Sequence, residues 1–155
     1  MTAALFAFAE GTAPAARLAS ACGCPLHEIE VRRFPDGESL VRVPGAAETA
    51  LLYRSLDDPN AKLVELVLAA AALRDNGARR VILIAPYLAY MRQDMAFRTG
   101  EAVSQRVIGD LLASRFDGVV TVDPHLHRIS SLSEVMPTIP ALAISAAPAL
   151  VQAIG

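Results

Sequence analysis

The chain lacks both of the common phosphate cradles: neither a G-x-x-x-x-G-K-[ST] loop nor a G-x-G-x-x-G turn occurs in it. No serine or cysteine stands in a recognisable nucleophile motif, so no catalytic residue is assigned from the sequence. Cysteine is scarce. Cys22 and Cys24 lie one residue apart, a poor spacing for a disulfide, and no second pair or histidine cluster completes a zinc site, so both read as reduced and structural. An excess of either charge is missing too. Lysine and arginine total 14 against 16 acidic residues, a formal charge of −2 with no basic run, which argues against a nucleic-acid partner. The opening MTAALFAFAEGTAP has no basic leader, and no apolar run approaches the ~20 residues that span a bilayer. The expectation is a cytoplasmic protein with no membrane partner.

What is present is a composition for one compact body: 155 residues, 54% hydrophobic and only 19% charged. Short β-rich runs alternate with alanine- and leucine-rich segments. Strands are predicted at Leu5–Phe8, Ile29–Phe34, Ser39–Val43, Ala50–Leu56, along RRVILIAPY and GVVTVD, and at IPALAIS. Helices are predicted at Pro14–Cys22, along AKLVELVLAAAALRDNG with a stop at Asn76–Gly77, along EAVSQRVIGDLLASRF, and in the alanine-rich C-terminal stretch. The second of these is apolar on most faces and is expected to be well buried. Val81 to Ile84 are apolar on both faces, as in a central parallel strand covered by helices on both sides. The alternation argues an α/β domain with a mostly parallel sheet flanked by helices.

Ligands of such sheets bind beyond the carboxyl ends of the strands. That rule selects two loops, PYLAYMRQDMAFRTGE and DPHLHR. The first offers Arg92, Gln93 and Asp94 in succession, with Arg98 and Glu101 beyond; an arginine fork suits phosphate oxygens and a glutamine amide suits a base or a phosphate. A solvated loop with ordinary surface ion pairs would read the same way. The second loop has Asp123, His125 and His127 at alternate positions, which share one face if the chain stays extended and would then suit a divalent cation. An aspartate that caps a turn is the alternative. RFPDGE at Arg33–Glu38 is either a plain hairpin tip or a surface in which Phe34 stacks on a flat ligand while Asp36 and Glu38 accept hydrogen bonds.

Taken in order, RFPDGE, PYLAYMRQD at Pro86–Asp94 and VTVDPHLHRISSL at Val120–Leu132 resemble the ribose-phosphate pyrophosphokinase (phosphoribosyl pyrophosphate synthetase) family. The resemblance implies a phosphoribosyltransferase-like α/β fold, with residues 1 to 155 as the N-terminal of two similar domains. It implies a reaction in which the β,γ-pyrophosphoryl group of Mg-ATP passes to the 1-hydroxyl of ribose 5-phosphate, leaving AMP. By this resemblance Arg92, Gln93 and Asp94 bind ATP. Phe34, Asp36, Gly37 and Glu38 form the adenine loop, lent by a neighbouring subunit of a homo-oligomer. His125, with Asp123, is the Mg2+ site. The family's ribose 5-phosphate loop belongs to the C-terminal domain, and DDPN at Asp57–Asn60 lacks its glycines, so this chain alone is expected to be inactive. Met95, Ala96 and Phe97 stand where the bacterial and animal pattern is basic, so the loop is closer to the archaeal type and no allosteric phosphate site is expected. A second function class consistent with the same residues is a non-catalytic assembly or regulatory relative.

Overall fold

A computed structural model describes residues 2–154. Seven strands, β1 (Ala3–Phe8), β2 (Leu26–Arg33), β3 (Ser39–Arg42), β4 (Thr49–Tyr53), β5 (Arg80–Ala85), β6 (Gly118–Val122) and β7 (Ala141–Ile144), form one sheet in the order β3-β2-β1-β4-β5-β6-β7. Every pairing is parallel except the β2–β3 hairpin. The helices are α1 (Thr12–Cys22), α2 (Pro59–Asp75), α3 (Ser104–Arg115) and α4 (Ala147–Ile154). The expected α/β class and mostly parallel sheet are what the chain adopts, and among the described residues no helix is long and apolar enough to cross a membrane.

Alternate residues of each strand go to opposite faces, and this divides the core. Ala4, Phe6 and Phe8 of β1 join Leu52, Val81, Leu83 and Val119 beneath α2 and α3, whereas Leu5, Ala7 and Tyr53 pack with Ala15 and Ala19 of α1. The first face is sealed. On the other, α1 covers only the β1–β2 end. Ile82, Ile84, Val120 and Val122 are therefore half-buried and Leu142 and Ile144 exposed, which corrects the expectation that the strand around Ile82 is covered on both sides.

Two boundaries moved for local reasons, and one helix is less buried than expected. The strand expected over Ala50–Leu56 ends at Tyr53, because Arg54 turns inward to an ion pair. α3 starts at Ser104 rather than Glu101: Gly100 has φ +91°, and the Glu101 carboxylate accepts from the Phe97 and Arg98 amides of the preceding turn. α2 begins with Pro59 in its first turn and is followed by Gly77 at φ +96°, yet it is not well buried all round. Ala61, Val64, Leu68 and Ala71 face outward.

Gly109 in α3 is fixed by packing. A Cβ there would lie 2.4 Å from Val135 Cγ1 and 2.9 Å from the Val135 carbonyl oxygen. Gly109→Ala is therefore expected to lose about 1–3 kcal/mol to overpacking against about 1 kcal/mol of helix propensity gained, and so to lower the urea midpoint. An unchanged or raised midpoint would show that Val135 yields freely.

Candidate functional site

In this sheet the chain reverses its direction of travel between β1 and β4, the crevice where an open α/β sheet ordinarily holds a ligand. Here the crevice holds an ion-pair network of the protein's own, which lines an open hollow of about 400 Å³ with Glu10, Arg33, Arg54 and Glu65. Arg54, directly after β4, donates from Nε to Glu10 at 2.8 Å and from its terminal nitrogen to Glu65 of α2 at 2.6 Å, with its guanidinium 3.7 Å from the centre of the Phe8 ring. Glu65 also accepts from Arg33 at 3.2 Å and from the Ser39 hydroxyl at 3.0 Å. Burial opposes charge on Glu65, but the hydrogen bonds from Arg54 and Ser39 and the nearby arginine charges outweigh it and hold its carboxyl below the ordinary glutamate range. The sequence reading missed this network. Its signal was a lone glutamate in the apolar run LVELVL and an arginine closing the strand ALLY.

A further open space lies along the same edge, past β5 and β6. Three non-glycine residues have positive φ among those described, Asp58 (+47°), Tyr90 (+64°) and Asp123 (+39°), and they follow β4, β5 and β6 in turn. Each such residue costs of order 1–3 kcal/mol, a strain that concentrates where loops are held for function. After β5 the loop is pinned from within. The Met91 side chain is buried, its carbonyl accepts from Gln105 Nε2 at 3.0 Å, and the Tyr90 hydroxyl bonds the Asn60 side chain. Arg92 and Gln93 then emerge. The Gln93 carbonyl oxygen is held by the Ser104 hydroxyl at 2.5 Å, which leaves its amide N–H groups to donate outward. Arg92 is exposed, and among the described residues no side-chain partner engages its guanidinium.

Arg92, Gln93, Phe97, His127 and Arg128 line an open cleft of about 570 Å³. Phe97 is exposed, and the Arg128 guanidinium lies 5.8 Å from its ring centre. Asp94 does not line the cleft: its side chain is buried, one oxygen receives Arg128 at 2.5 Å, and the other is buried without a partner. Asp94 thus anchors an arginine that does face the cleft. Arg128 and Phe97 are cleft residues to which the sequence reading had given no role, and His127, read there as a candidate cation ligand, lines the cleft with them.

The remaining candidates do not themselves line this cleft. The chain does not stay extended after β6. Asp123 adopts positive φ and its carboxylate accepts from the Ala146 amide at 2.9 Å, so it ties the loop to the segment before α4. His125 and His127 meet each other instead, Nε2 to Nε2 at 2.6 Å. No group of three or more metal-binding side chains gathers among the described residues, so the donors here are one imidazole pair and a half-engaged carboxylate. Phe34, Asp36, Gly37 and Glu38 form the tip of the β2–β3 hairpin at the same edge but three strands from β5. There Asp36 accepts the Glu38 amide at 3.1 Å, Gly37 takes φ +94°, and Phe34 is exposed beside Arg32.

Residues 3–115 match the model of a family described as the N-terminal domain of ribose phosphate pyrophosphokinase. Proteins named ribose-phosphate pyrophosphokinase from Methanopyrus kandleri and Halobacterium salinarum are each 40% identical, over 78% and 88% of this chain and 42% and 47% of their own lengths. The one from Saccharolobus solfataricus is 45% identical over 65% of this chain and 36% of its own. A crystal structure of phosphoribosylpyrophosphate synthetase from Mycobacterium smegmatis superposes with a TM-score of 0.87 at 28% identity, covering 100% of this chain and 52% of that one. The chain thus spans about half the length, or less, of the relatives it matches.

Proposed function

The chain belongs to the family of N-terminal domains of ribose phosphate pyrophosphokinase, and we propose that it is the ATP-binding half of such an enzyme, working in the cytoplasm. The observation that carries this reading is the cleft beyond β5 and β6. Two guanidiniums and an amide converge beside an exposed aromatic ring, a combination suited to a polyphosphate joined to a flat base. The solvated-loop alternative does not account for the care with which Ser104 and Asp94 hold Gln93 and Arg128 in place.

In this reading Arg92 and Arg128 bind phosphate oxygens and Gln93 donates its amide, while Asp94 keeps Arg128 in position. The donors around His125 do not make a protein cage for a hard cation, but they fit Mg2+ that reaches the site on the nucleotide's phosphates, with His125 as a direct or water-mediated contact and Asp123 as its support. Bound there, the ion would neutralise phosphate charge. The Phe34–Glu38 hairpin tip lies too far along the edge to close the cleft of its own chain, which fits a loop lent to a neighbouring copy in a homo-oligomer. Ribose 5-phosphate and the completion of pyrophosphoryl transfer are assigned to a second domain.

The test is AMP release from Mg-ATP with and without ribose 5-phosphate, beside calorimetric Mg-ATP binding, on a sample of verified 155-residue mass. Binding without sugar-dependent AMP is expected. Sugar-dependent AMP would refute the need for a second domain, and absence of binding would favour the non-catalytic assembly reading.

A further inference from the structure

We propose that His125 and His127 together form a two-imidazole site for one borderline divalent cation, of the Co2+, Ni2+ or Zn2+ class, and that His127 sets the preference for such an ion over Mg2+. The proposal rests on the nucleotide reading above for the phosphate that brings the ion, and it deepens that reading by naming the ion's class. His127 lies outside the His125–Asp123 pair to which the family resemblance gave the metal.

The two rings already stand much as ligands of one ion do. Their Nε2 atoms are 2.6 Å apart, closer than the about 2.9 Å usual for an N–H donor and its acceptor. The ring planes lie at 85° with centres 4.2 Å apart, too near for both rings to be in line with that contact. The pair is therefore bent about its nitrogens. Two imidazoles bound at right angles to one ion at about 2.1 Å hold their nitrogens about 3 Å apart, so an opening of about 0.4 Å admits the ion. Both side chains are exposed, which leaves room for that movement. In the pair as it stands, one Nε2 carries the shared hydrogen. On binding, that hydrogen passes through solvent to Nδ1 of the same ring, both Nε2 lone pairs face the ion, and no net proton is released.

The carboxylates nearby in the chain are committed elsewhere. Asp94 receives Arg128, Glu134 receives the Ser130 and Ser131 amides, and one oxygen of Asp123 receives the Ala146 amide. Nitrogen is what the loop offers. Imidazole favours borderline ions over Mg2+, in an order that rises from Mn2+ through Co2+ to Ni2+, so Mn2+ at the weak end still needs phosphate to hold it. His127 also lines the cleft with Arg92 and Arg128. Two guanidiniums oppose a bare cation and attract one that carries phosphate, so two nitrogens and the phosphate oxygens share one coordination sphere.

The test uses the 155-residue chain with Cys22→Ser and Cys24→Ser, which removes the thiols that would compete for such ions. Nitrogen-15 spectra of its three imidazoles are recorded with Zn2+ alone and with Zn2+-ATP, and calorimetry compares Co2+-ATP with Mg2+-ATP. Nε2 of His125 and Nε2 of His127 should shift together at one ion per chain, more weakly without ATP, while His27, stacked on Phe6, does not move. Co2+-ATP should bind about tenfold or more tighter than Mg2+-ATP, and His127→Gln, its fold verified by circular dichroism, should bring the two within about twofold. A response from His125 alone, or a Co2+ preference that survives His127→Gln, overturns the proposal. The outcomes also separate the two readings. Zn2+ held by both imidazoles in a chain that binds no nucleotide refutes the nucleotide reading alone, and Mg2+-ATP binding with both imidazoles unmoved by Zn2+ refutes the ion site alone.

Discussion

Arg92→Ala is expected to weaken Mg-ATP binding by about 10- to 150-fold, the loss of a charge-assisted hydrogen bond worth roughly 1.5–3 kcal/mol. Arg92 lines the cleft with no side-chain partner among the described residues, so its truncation should leave the fold and the thermal midpoint unchanged. Arg98→Ala is the matched control. Arg98 lies six residues on, is also exposed and does not line the cleft, so its loss should change affinity less than twofold. Calorimetric titration of both variants decides the point. Equal affinities would move the nucleotide away from the β5 loop.

Glu65→Ala should cost about 3–5 kcal/mol in urea unfolding, because it strands the buried Arg54 guanidinium without its closest carboxylate. Replacing both members, Arg54→Met with Glu65→Leu, should cost far less, since no buried charge is left unpaired. The pH dependence has a definite sign. The folded carboxyl of Glu65 lies below its ordinary 4.5, so its contribution is complete above that pH and is lost as the pH falls through the depressed folded value. The stability gap between wild type and Glu65→Gln should accordingly be full at pH 7 and shrink below about pH 4.5. Arg33 and Ser39, which flank the Phe34–Glu38 tip, both donate to Glu65, so amide exchange across the hairpin should also quicken in Glu65→Ala. Unchanged exchange there would show that the hairpin holds its angle without α2.

Much of the architecture was legible because it rests on short-range pattern. Two-sided apolar runs such as Val81 to Ile84 marked parallel strands, the turn residues of FPDGE marked the hairpin, and Asn76–Gly77 marked the end of α2. What was not legible depends on partners distant in sequence. Asp94 looks like a ligand beside Arg92 and Gln93, and only the return of the chain after β6 brings Arg128 to it from 34 residues away. Asp123 and His125 share a face only in an extended chain, and the positive φ of Asp123 ends the extension. The Arg54–Glu65 pair left only a faint mark, a lone glutamate in an apolar run and an arginine after a strand, because the partners that satisfy it, Glu10, Arg33 and Ser39, come from three other segments.

The central claim, that nucleotide and metal meet at the ends of β5 and β6, is tested most directly by titrating the isotope-labelled chain with Mn2+-ATP and observing which amide signals broaden. The expected result is loss of signal first from residues 92–94 and 125–128, with the hairpin tip at 34–38 affected only where a second copy is bound. Broadening centred instead on the groove formed by Asp57, Pro59, Tyr87 and Tyr90, or equal broadening with free Mn2+ and no nucleotide, would contradict it.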